Sequence, residues 1–149
     1  MPRIVREASV SWQGSMARGN GALTAETSGA FVGLPYSFPT RIGNPEGRTS
    51  PEELLAAAHA GCFAMSLANE LGAAEVAVES VDVRCTITMD EVEGRGHLIV
   101  GSAIAYDATG EGLDASVLET AAAAAHEGCS FSTLLRDAGA AVEVTRISR

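Results

Sequence analysis

Ser50-Pro51-Glu52-Glu53-Leu54-Leu55-Ala56-Ala57-Ala58-His59-Ala60-Gly61-Cys62-Phe63-Ala64-Met65 is the stretch on which the fold turns. Ser50 can cap a helix, Pro51 suits the first helical position, and Glu53, three residues after Ser50, completes a capping box. The pattern predicts a helix running to about Leu71, with Gly72 as its stop. Its body is apolar on nearly every face, so the helix is expected to be covered on all sides rather than to lie on a surface.

Upstream of it the chain reads as strands. Residues 3–12 carry an alternation, Ala8, Val10 and Trp12 against Ser9 and Ser11, which suits a half-buried strand. A Gly-rich turn at 14–21 leads to a return strand at 22–27. A proline-containing segment, 34–40, precedes a polar loop at 41–49 with Gly43, Pro45 and Gly47. Downstream, Val81, Val83, Cys85, Ile87 and Met89 alternate with polar residues, as in a strand with one buried face. The turn at 93–96 leads into a partner strand at 97–106. An Ala-rich helix is expected from about 114 to 127, a short helical turn at 132–137 and a closing strand at 141–147. No repeat or linker divides the sequence. It predicts one α+β domain over 1–149, antiparallel strands segregated from two long helices.

Composition narrows the function. The 149 residues carry a net charge of −9, which repels phosphate backbones and anionic lipid, so nucleic acid and membrane are not expected partners. The opening residues lack an apolar signal-peptide core. The longest apolar run, 54–68, is interrupted by His59, Gly61 and Ser66 and is short for a membrane span. A cytoplasmic location is expected. There, three cysteines suit a catalytic disulfide better than an architectural one.

Cys62 has two readings: a buried thiol packing as a small hydrophobe, or a nucleophile. Apolar burial raises a thiol pKa, so a nucleophilic Cys62 requires a cation from outside its own helix, and the loop offers Arg41 and Arg48. Cys129, just past Gly128 at a helix end, matters as a partner for Cys62. Cys85 falls on the apolar side of its strand and reads as structural. His59 and His126 each stand three residues before a cysteine, a spacing that leaves a zinc site open as an alternative. A Cys–His hydrolase lacks any mark of an oxyanion hole or orienting third residue. Glu52 suits the positive end of the helix dipole.

The segment Pro35-Tyr36-Ser37-Phe38-Pro39-Thr40-Arg41, followed by Thr49 and the helix quoted above, resembles the OsmC/Ohr family (osmotically inducible protein C and organic hydroperoxide resistance), in particular its OsmC branch. The resemblance extends from Trp12-x-Gly14 to the late helix ending Gly128-Cys129. It implies an intertwined homodimer with antiparallel strands packed around long central helices. It further implies reduction of organic hydroperoxides without metal, haem or flavin, and regeneration by an external dithiol, lipoyl-type or small. By position, Cys62 matches the peroxide-attacking cysteine, Cys129 the resolving one, Glu52 the site acid and Arg41 the activating arginine, with Arg18 as a second candidate. Family members often have proline after the second cysteine, where this chain has Ser130. That departure predicts a looser backbone around Cys129. Phe38, Phe63 and Phe131 are expected to line the way for an alkyl group.

The chemistry implied is thiolate attack, alcohol release, a sulfenic acid on Cys62, and condensation with Cys129 to a disulfide. Glu52 and Cys62 are ten residues apart on one helix, roughly 15 Å along its axis. A dimer with antiparallel helices would bring Glu52 of one subunit beside Cys62 of the other, so Arg41 and Glu52 are expected to complete the partner's site. A non-catalytic small-molecule-binding protein on the same fold remains the other alternative.

Overall fold

The computed structural model describes residues 2–148, which form two compact units, one up to Pro51 and one from Glu52 onward. The first holds an antiparallel sheet of β1 (Ser9–Gln13), β2 (Asn20–Thr24) and β3 (Leu34–Tyr36), in that order, and a short helix α1 (Phe38–Ile42). β1 starts at Ser9 rather than at residue 3 because its partner ends at Thr24, opposite Ser9. Before that point Glu7 bonds across to Glu26 and Thr27 instead of continuing the ladder. Trp12 and Tyr36 pack with ring centroids 5.5 Å apart. Gly21 lies beneath them, where an added Cβ would come within 2.1 Å of the Tyr36 ring. Ser37 caps α1 by accepting from the Thr40 N–H, and Pro39 sits in the first turn, so a helix begins where the sequence suggested only a segment leading into a loop.

The second unit opens with α2 (Pro51–Ala73) and continues with β4 (Ala77–Val92), β5 (Gly96–Glu111), α3 (Ala115–Gly128), α4 (Ser130–Asp137) and β6 (Ala141–Arg146). Gly72 lies inside α2 and does not stop it. The stop is Glu75, which takes a left-handed conformation at φ 60. Its N–H bonds to Gly72 O at 3.1 Å while the Val76 N–H reaches Leu71 O at 3.0 Å, the paired closure usually built on glycine.

β4 and β5 form a long antiparallel hairpin with two register irregularities, between Val78 and Ser80 and between Thr88 and Met89. The expected alternation of Val81, Val83, Cys85, Ile87 and Met89 holds, each half-buried between exposed neighbours. β6 is the exception to antiparallel pairing, since it runs parallel to β5 with Gly101 opposite Ala141. A chain that leaves β5 and crosses through α3 and α4 returns in the same direction.

Every fourth residue of α2, namely His59, Phe63, Leu67 and Leu71, is buried. The three apolar members join Ile104, Tyr106, Leu118, Ala122, Ala125 and Cys129 in one core, where each large side chain contributes roughly 1.5–3 kcal/mol by its burial. By length and composition α2 is apolar enough to cross a membrane. One stripe of it is buried in the core of this unit and carries a histidine hydrogen-bonded on both ring nitrogens. The opposite stripe is uncovered in the single chain: Ala57, Gly61 and Met65 are exposed, Met65 to 72%.

Candidate active site

α2 carries Cys62 three residues beyond His59, and the junction between α3 and α4 carries Cys129. Cys129 is both the end of α3 and the residue preceding α4. The two thiols are unbridged neighbours, with Cys62 partly exposed and Cys129 buried.

Burial pushes the Cys62 thiol up. The Cys129 thiol, the N–H groups of Phe131 and Ser130 and the Ser130 hydroxyl all favour its thiolate, and together they bring it below the ordinary cysteine value. The Ser130 hydroxyl lies 3.7 Å from Cys62 Sγ. Cys62 thus faces the N-terminus of α4, where unpaired N–H groups concentrate positive potential. Cys129 moves the other way, raised first by burial and further by its neighbour Cys62.

Two expectations change here. A cation outside α2 is not the only route to a reactive Cys62, because the start of α4 supplies donors. Nor does Ser130 merely loosen the chain, because α4 begins at Ser130 itself, and serine brings both an N–H and a hydroxyl that proline would lack.

Behind the thiols lies a buried polar chain. His59 Nδ1 is 2.7 Å from Ser102 Oγ on β5, and its Nε2 is 2.8 Å from Ser132 Oγ on α4. Ser102 Oγ lies 3.3 Å from Cys85 Sγ. Cys85 therefore sits at the far end of this chain, its thiol raised by burial. Both nitrogens of His59 are engaged with hydroxyls rather than turned toward Cys62. Among the described residues no group of three or more His, Cys, Asp or Glu converges as metal ligands. His126 pairs through Nε2 with Arg136 at 3.3 Å, and Arg136 also bonds Glu127 at 2.8 Å.

Glu52 lies in the first turn of α2. Arg41 belongs to the first unit, in the last turn of α1. There it lines a cavity of about 280 Å³ with Trp12, Met16, Tyr36, Ser37 and Phe38. Arg48 donates to Asn20 at 2.8 Å, and Arg18 is exposed in the turn between β1 and β2. Of the three expected phenylalanine walls, Phe63 is fully buried against Tyr106, with ring centroids 5.9 Å apart. It is a core residue. Phe131 is half-buried beside the thiols and Phe38 lines the Arg41 cavity.

The opposed thiol shifts predict an order of labelling. A lowered pKa leaves more thiolate at neutral pH, and a raised one leaves less. Iodoacetamide at pH 7 is expected to alkylate Cys62 ahead of Cys129 and Cys85, with the Cys62 rate levelling off at the lowest pH of the three. Ser130→Ala should move that plateau to higher pH. Peptide mapping by mass spectrometry reads the order, and preferential labelling of Cys85 would contradict it.

The family model described as OsmC-like protein matches residues 43–145. Over 133 residues the chain is 35% identical to the Escherichia coli (strain K12) protein named peroxiredoxin OsmC, a match spanning 89% of this chain and 91% of that one. A solved OsmC-like protein of unknown function from Vibrio cholerae is similar with a TM-score of 0.78 at 16% identity, covering 97% of this chain and 100% of that one. The organic hydroperoxide resistance protein OhrB of Bacillus subtilis gives 0.73 at 22% identity, covering 95% and 98%. The two structural likenesses are likenesses of fold.

Proposed function

The chain belongs to the family of OsmC-like proteins, and from that membership and the paired thiols we propose that it is a cysteine-based peroxidase detoxifying organic hydroperoxides. The observation that carries the reading is a single one. Cys62 is partly exposed and lowered toward its thiolate, against a buried Cys129 whose thiol is raised. A nucleophile and a held-back second thiol are what a two-step thiol peroxidase requires.

In the first step the Cys62 thiolate attacks the distal peroxide oxygen. The O–O bond breaks, alcohol leaves, and Cys62 becomes a sulfenic acid. Cys129 then condenses with it, releasing water and forming the disulfide. An external dithiol, small or lipoyl-type, returns both thiols, and no metal or bound cofactor takes part. Arg41 is the proposed activating cation, where a guanidinium would favour the thiolate and polarise the O–O bond. Glu52 is its proposed partner. The cavity lined by Trp12, Tyr36 and Phe38 has the character to take an alkyl group.

The test is steady-state turnover with a dithiol. Cumene and t-butyl hydroperoxide should be consumed faster than hydrogen peroxide, and a protein inert toward all three contradicts the proposal.

The same reading includes a homodimer. The exposed stripe of α2 through Ala57, Gly61 and Met65 is apolar, and a second copy of this chain would cover it. We assign Arg41 and Glu52 of one subunit to the partner's Cys62 and Cys129. A mixed dimer of Cys62→Ser and Arg41→Ala subunits should then keep one working site and about half the wild-type activity, by simple counting of sites. A mixed dimer as inactive as its parents, beside a half-active wild-type/double-mutant hybrid, would put the site within one chain.

A further inference from the structure

The start of α4 serves Cys62 only while it stays in place, and little in α4 itself keeps it there. At eight residues it is too short to be stable alone, and Cys129 at its head makes no side-chain capping bond. Of its first four residues, 130–133, only Ser132 is buried. The Ser132 hydroxyl meets His59 Nε2 at 2.8 Å, and the other ring nitrogen meets Ser102 Oγ at 2.7 Å. Ser102 lies on β5, the middle strand of its sheet, opposite Ile87 on one side and Val142 on the other. Ser132 and His59 are 0% exposed and Ser102 is 2% exposed. A shift of α4 would therefore leave a buried hydroxyl and a buried ring nitrogen unpaired, which is costly.

Cys62 stands three residues beyond His59 on α2, and Ser130 stands two residues before Ser132 on α4. The two helices thus meet in two rungs. The inner one joins His59 to Ser132, and the outer one sets Cys62 Sγ 3.7 Å from Ser130 Oγ. The inner rung is short and buried and the outer one long, so a small displacement of α4 loses the outer one first. Groups that serve a reacting atom need holding to within about 0.5 Å. We propose that the bridge Ser102–His59–Ser132 pins the first turn of α4 so that the Ser130 hydroxyl stays on Cys62, a role whose use rests on the peroxidase reading above. Ser102, His59 and Ser132 act through Ser130 and are positioning residues.

The groups facing the His59 ring are Ser102 of β5, Cys85 of β4 at 3.8 Å, Ser132 of α4 and, through charge, His126 of α3. Burial first and His126 second hold His59 below its ordinary value, so the ring is neutral where the thiol titrates. A neutral imidazole donates from one nitrogen and accepts at the other, and a serine hydroxyl does either, so both bonds form in either tautomer. Cys62 itself faces the titratable thiol of Cys129 and the donors of Ser130 and Phe131. A thiolate only accepts, so the Ser130 hydroxyl donates to it, and whatever holds that hydroxyl in place favours the attacking form.

The experiment follows iodoacetamide labelling of the Cys62 peptide against pH by mass spectrometry, with the melting transition recorded beside it. In Ser132→Ala the midpoint of the Cys62 profile should rise by about one pH unit and the rate at neutral pH fall about tenfold, the lower end of what a hydrogen bond to a charged group supplies. The rate on the alkaline plateau should be kept. Ser102→Ala leaves α4 unaltered and should move the midpoint the same way by less, since Cys85 is near the vacated nitrogen; it carries the test if Ser132→Ala does not fold. Ser130→Ala combined with Ser132→Ala should shift no further than the larger single shift, because the two act in series. Leu71→Ala opens the same core at the far end of α2 and should lower the melting transition with the midpoint in place. A midpoint unmoved by Ser132→Ala, shifts that add in the double variant, or an equal shift in Leu71→Ala would overturn the bridge and leave the peroxidase reading standing. Labelling is read without peroxide, so the expected shifts in a protein inert toward cumene hydroperoxide would uphold the bridge and defeat the peroxidase reading instead.

Discussion

Cys62→Ser is expected to abolish hydroperoxide consumption, by roughly 10³-fold or more, as removal of a nucleophile does elsewhere. The serine hydroxyl is far too weak an acid to be ionised by the donors of Ser130 and Phe131 that favour the Cys62 thiolate. The position is partly exposed on α2, so the exchange removes one packed sulfur and leaves the buried stripe of His59, Phe63, Leu67 and Leu71 untouched. Thermal unfolding should shift little. Loss of turnover with a preserved melting transition is the expected pair of results. Retained turnover would move the nucleophile to another thiol.

Cys129→Ser should separate the two steps. Reaction with the first equivalent of peroxide survives, somewhat slowed at neutral pH because the Cys129 thiol is among the groups lowering Cys62. No intramolecular disulfide can follow. Cys62 then stands as a sulfenic acid that excess peroxide carries to the irreversible sulfinic state. Steady-state turnover with dithiol should decay within a few cycles, and intact mass should show two added oxygens. A variant that cycles as long as the wild type would mean that Cys62 is resolved from outside and that Cys129 serves the core.

The sequence made α2 readable because its start signal and its all-round apolar body are both local. The places of Cys62 in the middle of α2 and of Cys129 just past the end of α3 were legible, and the alternation around Cys85 read correctly as one half-buried strand face. What stayed hidden depends on partners distant along the chain. Nothing local says that the closing strand lies parallel to β5, because that follows from the two helices between them. The end of α2 was misread for a related reason: Gly72 is the usual stop, and here Glu75 takes the left-handed conformation. Phe63 looked like a substrate wall and proved to be core, since the buried face of an all-apolar helix is chosen by what packs on it. The donors at the start of α4 were missed because cysteine is not a usual cap residue. The clue was a polar one: a histidine inside an apolar helix must find partners, and serines at 102 and 132 were available to provide them.

The central claim is that Cys62 and Cys129 act as a redox pair on a hydroperoxide, and one measurement addresses it most directly. The reduced protein is treated with one equivalent of organic hydroperoxide, and its cysteine linkages are mapped by mass spectrometry without reduction. The expected product is a Cys62–Cys129 disulfide with Cys85 free. Three unchanged thiols after the peroxide, or a disulfide that includes Cys85 in place of Cys129, would contradict the account.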